Sequence, residues 1–139
     1  MKCETIHLVE DSEADVMAFS RAVRKLAPEA KIVRWPNAQD ALDAIEQGQV
    51  SSPDIFFIDL NLPGMSGLEF LRRVRAHRDL KLVPAVVLTT SSDPKEVQQS
   101  FLEGAGGHLV KPTGFEQLLK LLHSCLSYWF ETTLLPLAR

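Results

Sequence analysis

Cysteine is scarce. Cys3 and Cys125 are the only two among 139 residues; they stand far apart and lack metal-ligand spacing, so neither a disulfide scaffold nor a cysteine-held zinc is indicated. Two free thiols in a reducing cytoplasm are expected. No apolar run is long enough to span a bilayer, and the N-terminus lacks the charged-then-apolar order of a secretory signal, so no membrane role is expected. Neither sign of charge dominates: the net charge of -3 gives no reason to expect a nucleic-acid surface. Internal repeats and low-complexity tracts are also missing. What remains is 45% hydrophobic and 24% charged, ordinary for one globular domain with a proper core.

The most informative stretch runs from Asp54 to Gly67. Ile55, Phe56, Phe57 and Ile58 form an apolar run too short for an ordinary helix, and its aromatic and β-branched content fits a strand covered on both faces. It stops at Asp59, after which Pro63, Gly64 and Gly67 break regular structure. A carboxylate at the carboxyl end of a buried parallel strand lies where open α/β sheets bind ligands.

The rest of the chain alternates in the same way. Thr5–Val9 reads as a first strand ending at Glu10-Asp11, with Ser12 capping a helix and Asp15 at the third position of a capping box. Val16, Phe19, Val23 and Leu26 recur at helical spacing until Pro28. A second strand covers 31–35 and a second helix 38–47, stopped by Gly48. Leu68, Phe70, Leu71 and Val74 pattern as a third helix. Residues 84–89 form a fourth strand, Asp93-Pro94-Lys95-Glu96 opens a helix lasting to about Gly104, and 108–110 form a fifth strand. A last helix starts at Phe115 and carries Leu118, Leu119, Leu121, Leu122, Cys125, Leu126 and Trp129. Strand–helix alternation with connections too long for hairpins predicts a doubly wound, five-stranded parallel sheet with helices on both faces.

Strands one, three, four and five then end in Glu10-Asp11, Asp59, Thr89 and Lys111, which a parallel sheet brings to one edge. Each alone has a plain explanation, as helix start, turn or loop residue; their joint placement does not. Crowded carboxylates repel unless a cation sits among them, and hard oxygen ligands suit Mg²⁺. Lys111 adds an ammonium and Thr89 a hydroxyl. A carboxylate nucleophile, a metal, an ammonium and a hydroxyl are the parts that stabilise a transferring phosphoryl group, making Asp59 a candidate aspartyl-phosphate.

These residues, with Asn61, Pro63 and Gly67 after Asp59, Leu88 before Thr89 and Pro112 after Lys111, resemble a response-regulator receiver domain of two-component signalling, which has the flavodoxin-like (βα)5 fold. The resemblance implies that Asp59 takes a phosphoryl group from a sensor histidine kinase. It implies Mg²⁺ held by Asp11, Asp59 and the main-chain carbonyl of Asn61, with Glu10 acting through water; Lys111 binds the phosphate and Thr89 swings towards it. It also implies a cis bond between Lys111 and Pro112. One departure stands out: the family's aromatic switch position carries His108, and Thr90 replaces a usual Ala.

Past the receiver portion, 1–127, the segment 128–139 is a C-terminal extension. Tyr128, Trp129, Phe130, Leu134, Leu135 and Leu137, with apolar residues on more than one face of the last helix, predict a contiguous patch and hence a symmetric homodimer, the alternative being a tail folded back on its own sheet. The tail resembles those of single-domain response regulators that partner bacterial and cyanobacterial phytochromes, implying a phytochrome-type kinase. The expectation is a stand-alone cytoplasmic receiver, not an enzyme, with no output domain. A haloacid-dehalogenase-like phosphatase is the enzymatic alternative, but it needs a second acid where Asn61 stands. A phosphorylation-independent binding module is the other, opposed by the intact acidic site.

Overall fold

The computed structural model describes residue 3 and residues 5–49 and 53–136; Leu137 of the tail lies outside the described residues. Five strands, β1 (Thr5–Val9), β2 (Lys31–Trp35), β3 (Ile55–Ile58), β4 (Ala85–Thr89) and β5 (Gly107–Val110), alternate with helices α1 (Glu13–Leu26), α2 (Ala38–Glu46), α3 (Gly67–Ala76), α4 (Pro94–Leu102) and α5 (Phe115–Ser127). Every pairing is parallel, in the order β2-β1-β3-β4-β5. The chain reverses direction across the sheet between β1 and β3, so a crevice opens at their carboxyl ends.

Side-chain alternation along each strand builds two apolar layers. On one side Val9, Phe56, Ile58 and Val87 meet Leu42 of α2 and Phe70, Leu71 and Val74 of α3. On the other, Ile6, Leu8, Phe57 and Leu88 meet Phe19 and Val23 of α1 and Leu118, Leu122 and Leu126 of α5. Phe56 and Phe70 touch edge to face at 5.5 Å, Phe19 and Phe57 at 5.1 Å. Each such fully buried side chain contributes about 1.5–3 kcal/mol relative to exposure. Within β1, fully buried His7 accepts a hydrogen bond from Trp35 Nε1 at 3.3 Å on Nδ1.

The helix starts follow from local chemistry. Ser12, Asn37, Ser66 and Asp93 each accept a backbone N–H of the first turn through the side chain. At Gly67 the first turn of α3 presses against the chain leaving β3: a Cβ there would overlap the main-chain oxygen of Asp59, and Gly67 N donates to Leu60 O at 3.1 Å. α4 is attached differently, for Ser100 is its only buried residue among those described. Its exit is held by Arg75, whose guanidinium donates to the carbonyls of Gly104 (2.9 Å), Val83 (2.8 Å), Lys81 (3.2 Å) and Leu80 (3.4 Å).

Three expectations need correction. The Lys111–Pro112 bond is trans, the isomer an X–Pro bond favours by roughly 0.5–1 kcal/mol when local sequence decides. The last helix does not run as α-helix to Trp129: after Ser127 it widens into a π-helical turn, Tyr128–Thr132. That turn swings Trp129 and Phe130 back against the α1/α5 layer, so the tail is not one exposed patch. The indole of Trp129 lies where a Cβ on Gly106 would be, at 2.6 Å, while Tyr128 and Leu134 stay exposed.

Candidate phosphoryl-acceptor and metal site

The uniform apolar character of β3 and β4 buries both strands entirely, which carries the residues at their ends to the crevice. Asp59 leaves β3 with its N–H bonded to Val9 O at 3.1 Å, locking it beside the end of β1. Its carboxylate accepts from Asn61 N at 3.1 Å on Oδ1 and from Lys111 Nζ at 2.9 Å on Oδ2. Lys111 follows β5 and reaches in with its side chain only 12% exposed, where its ammonium also meets Glu10 Oε1 at 2.6 Å and Asp15 Oδ2 at 2.7 Å.

Glu10 is buried, and its second oxygen accepts Ser12 N at 3.1 Å. Oxygens of Glu10, Asp11 and Asp59 all lie within 4.8 Å of one another, with Asp11 exposed to solvent. Three carboxylates at that separation, one of them open to water, form the hard-oxygen donor set that suits an octahedral divalent cation keeping several waters. Thr89 ends β4 fully buried, and its hydroxyl finds no partner of hydrogen-bond geometry.

The charges follow from these contacts. Burial pushes the Asp59 carboxyl up. The Lys111 hydrogen bond, the Asn61 N–H, the Lys111 charge and the adjacent Thr89 together outweigh it, leaving Asp59 below the usual carboxylate range. Glu10 goes the other way: burial raises it, and its bonds to Lys111 and Ser12 do not fully offset that. Burial also works against the Lys111 charge, but Asp15, Glu10 and Asp59 hold the ammonium more firmly protonated than an ordinary lysine. The site therefore presents an ionised carboxylate at Asp59 and a fixed cation beside it.

All the residues singled out by strand position converge as expected: Glu10, Asp11, Asp59, Thr89 and Lys111 line one rim, and Asn61 touches Asp59 through its main chain. Two participants escaped the sequence reading. Asp15 has its N–H capped by Ser12 Oγ at 3.3 Å, but its carboxylate binds Lys111 instead of closing a capping box. Glu10 takes Ser12 N in its place. Arg34, read only as a strand residue, donates to the carbonyls of Glu10 and Asp11.

His108 is not a free ring. Its Nδ1 lies 3.0 Å from Ser100 Oγ in α4 and its Nε2 2.9 Å from Ser91 O in the loop after β4.

A doubly wound parallel sheet in this strand order, with an aspartate held by a lysine across its carboxyl edge, defines a signalling domain of the two-component type. The chain belongs to the response regulator receiver domain family, whose description matches residues 6–123. It is 31% identical to Response regulator Rcp1 of Synechocystis sp. over 139 residues, covering 97% of this chain and 95% of that protein. Among solved structures, the phosphorylated cyanobacterial phytochrome response regulator RcpA superposes with a TM-score of 0.89 at 28% identity, over 96% of this chain and 99% of that one. The Mn²⁺-bound form of Rcp1 superposes at 0.86 with 30% identity, again over 96% and 99%. The chain is thus a receiver domain of the kind found in single-domain response regulators, and its acidic cluster is compatible with Mg-dependent phosphoryl acceptance. Receiver domains are signalling domains that accept phosphate from histidine kinases and bind a divalent metal at such a cluster. No described helix is long and apolar enough to cross a membrane.

Proposed function

We propose that Asp59 is the phosphoacceptor, that Mg²⁺ is the working metal, and that the domain signals through its altered surface and is not itself an enzyme. The observation that carries this reading is the Asp59 carboxylate held by Lys111 at 2.9 Å, with oxygens of Glu10, Asp11 and Asp59 all within 4.8 Å of one another and the buried Thr89 hydroxyl adjacent. A phosphoryl oxygen on Asp59 would offer that hydroxyl an acceptor.

Each residue has a definite part. The contacts that lower the Asp59 pKa keep it ionised, and so nucleophilic, at neutral pH. Lys111, already on Oδ2, offers a donor to the charge that develops on the incoming group. Asp11, Asp59 and the Asn61 carbonyl would hold Mg²⁺, with Glu10 behind them; the metal supplies charge neutralisation for the phosphoryl oxygens. Asp15 shares Lys111 with Asp59, so the ammonium is already placed before the donor arrives.

The donor is a sensor histidine kinase, and the likeness to Rcp1 and RcpA supports a phytochrome-type kinase. A groove of about 690 Å³ between α1 and the loop into α5 leads to Lys111, lined in part by Met17, Arg21 and Phe115. Arg21 lies 4.0 Å over the Phe115 ring, giving its wall an apolar and cationic character suited to a helical partner. We assign 128–139 to a dimerising extension, supported by the exposed side chains of Tyr128 and Leu134. A cytoplasmic setting fits the reading, and no nucleic-acid contact is proposed.

Beryllofluoride with Mg²⁺, which mimics the phosphoryl group, tests the assignment. Native protein should bind it and Asp59→Asn should not; equal binding by both removes Asp59 from its role.

A further inference from the structure

Glu10 and Asp11 sit on a short connection between β1 and α1, and a metal-binding loop needs its carboxylates aimed by something. Glu10 N donates to Trp35 O at 3.0 Å, which fixes one side of that residue to β2. The other side is fixed by the residue before Trp35. Arg34 Nε donates to Glu10 O at 2.9 Å and Arg34 Nη2 to Asp11 O at 3.3 Å. The third arm, Nη1, meets Glu13 Oε1 at 2.7 Å in the first turn of α1. One planar guanidinium thus spans two consecutive acidic residues and the helix that follows them, and its side chain is only 24% exposed.

We propose that Arg34 is a positioning residue for the divalent-metal site: it fixes the peptide planes carrying Glu10 and Asp11 so that their carboxylates face Asp59. This rests on the metal site of the preceding reading. Arg34 touches the main-chain oxygens of Glu10 and Asp11 and not their carboxylates, so it acts on the ligands through the backbone. Its charge alone has the opposite tendency, since a cation beside the site repels a second cation, and Glu13 offsets part of it. The two effects have opposite signs in a metal titration, so they can be separated. The fork also explains why an arginine stands here: a lysine ammonium cannot meet three acceptors in one plane.

The test is Mn²⁺ binding, followed through the EPR signal of the free ion, in native protein, Arg34→Ala and Arg34→Lys. The thermal midpoint is measured without metal alongside. Partners that orient metal ligands typically change affinity 10–100-fold; for one acting through the backbone the dissociation constant should rise on the order of tenfold in both variants. A purely structural role would lower the midpoint and leave the affinity of the folded protein as it was. Unchanged or tighter binding by Arg34→Ala overturns the proposal, as does full recovery in Arg34→Lys, which keeps charge without the fork. Should Arg34→Ala not fold, the lysine variant decides. Native protein that binds no Mn²⁺ instead removes the metal site itself, a result distinct from native binding with indifferent variants.

Discussion

His108 Nε2 lies 2.9 Å from the main-chain oxygen of Ser91, tying β5 to the loop after β4 at a point two residues past Thr89. A carbonyl can only accept, so Nε2 carries the proton. On the far side of the ring, Ser100 Oγ stands 3.0 Å from Nδ1 and 2.8 Å from Val97 O, its single proton shared between these two acceptors. The ring is therefore held by both nitrogens where the family usually places an aromatic that packs. The link from β5 to the loop after β4 and to α4 is made of hydrogen bonds.

Removing that link should be measurable without phosphorylation. His108→Phe keeps a ring but loses both bonds, each worth about 0.5–1.5 kcal/mol. Urea unfolding should show a loss of roughly 1–3 kcal/mol, and amide exchange over 91–97 should quicken. Unaltered exchange there would mean that the ring does not restrain the loop.

Lys111 is the cation among three carboxylates, two of them buried. Lys111→Met leaves them facing one another, and breaking such a buried pairing costs on the order of 3 kcal/mol. Chemical denaturation at neutral pH should show that loss, and added Mg²⁺ should recover part of it by restoring positive charge. A variant as stable as native would show that the ammonium does not offset the repulsion.

His7 sets an acid limit. Burial, with the Lys31 charge adding to it, brings the imidazole from 6.5 down to about 4. The unfolded chain therefore takes up this proton first as pH falls. The contribution is full above pH 6.5 and declines between about 6.5 and about 4, by about 3 kcal/mol. Subtracting the stability–pH profile of His7→Leu from that of native protein isolates it; a flat difference across that window would refute the assignment.

Gly106→Ala should eject Trp129, because the new methyl would stand 2.6 Å from its ring. Overpacking of this kind costs about 1–3 kcal/mol, and a red shift of tryptophan emission should accompany it. Emission identical to native would show that the tail adapts without moving the indole.

The tail also carries the oligomer prediction. Light scattering after size exclusion should give a dimer for the full chain at micromolar concentration and a monomer once it is cut before Tyr128. A monomeric full chain would confine the tail to covering its own sheet.

Much of this was legible in the sequence because the signals are local. β1, β2 and β3 fall where their apolar runs end, and Asp59, Thr89 and Lys111 reach the rim because each terminates a parallel strand. Asp15 was not legible: its spacing from Ser12 fits a cap, and its partner Lys111 lies 96 residues away. Arg34 was missed for the same reason, since a charged residue in an edge strand ordinarily faces water. The tail misled through composition. Tyr128, Trp129 and Phe130 are consecutive, but a widened helical turn sends them in different directions, which hydrophobicity alone does not encode.

Arg75 grips four carbonyl oxygens and no carboxylate, so its hold on the exit of α4 is indifferent to charge changes at the rim. The entrance of α4 is held by Ser91, two residues after Thr89, whose hydroxyl donates to Glu96 at 3.0 Å and whose carbonyl meets His108; the other nitrogen of that ring meets Ser100 in the last turn of α4. A shift of the loop after Thr89 would therefore reach α4 at both ends, directly at its first turn and through one imidazole at its last.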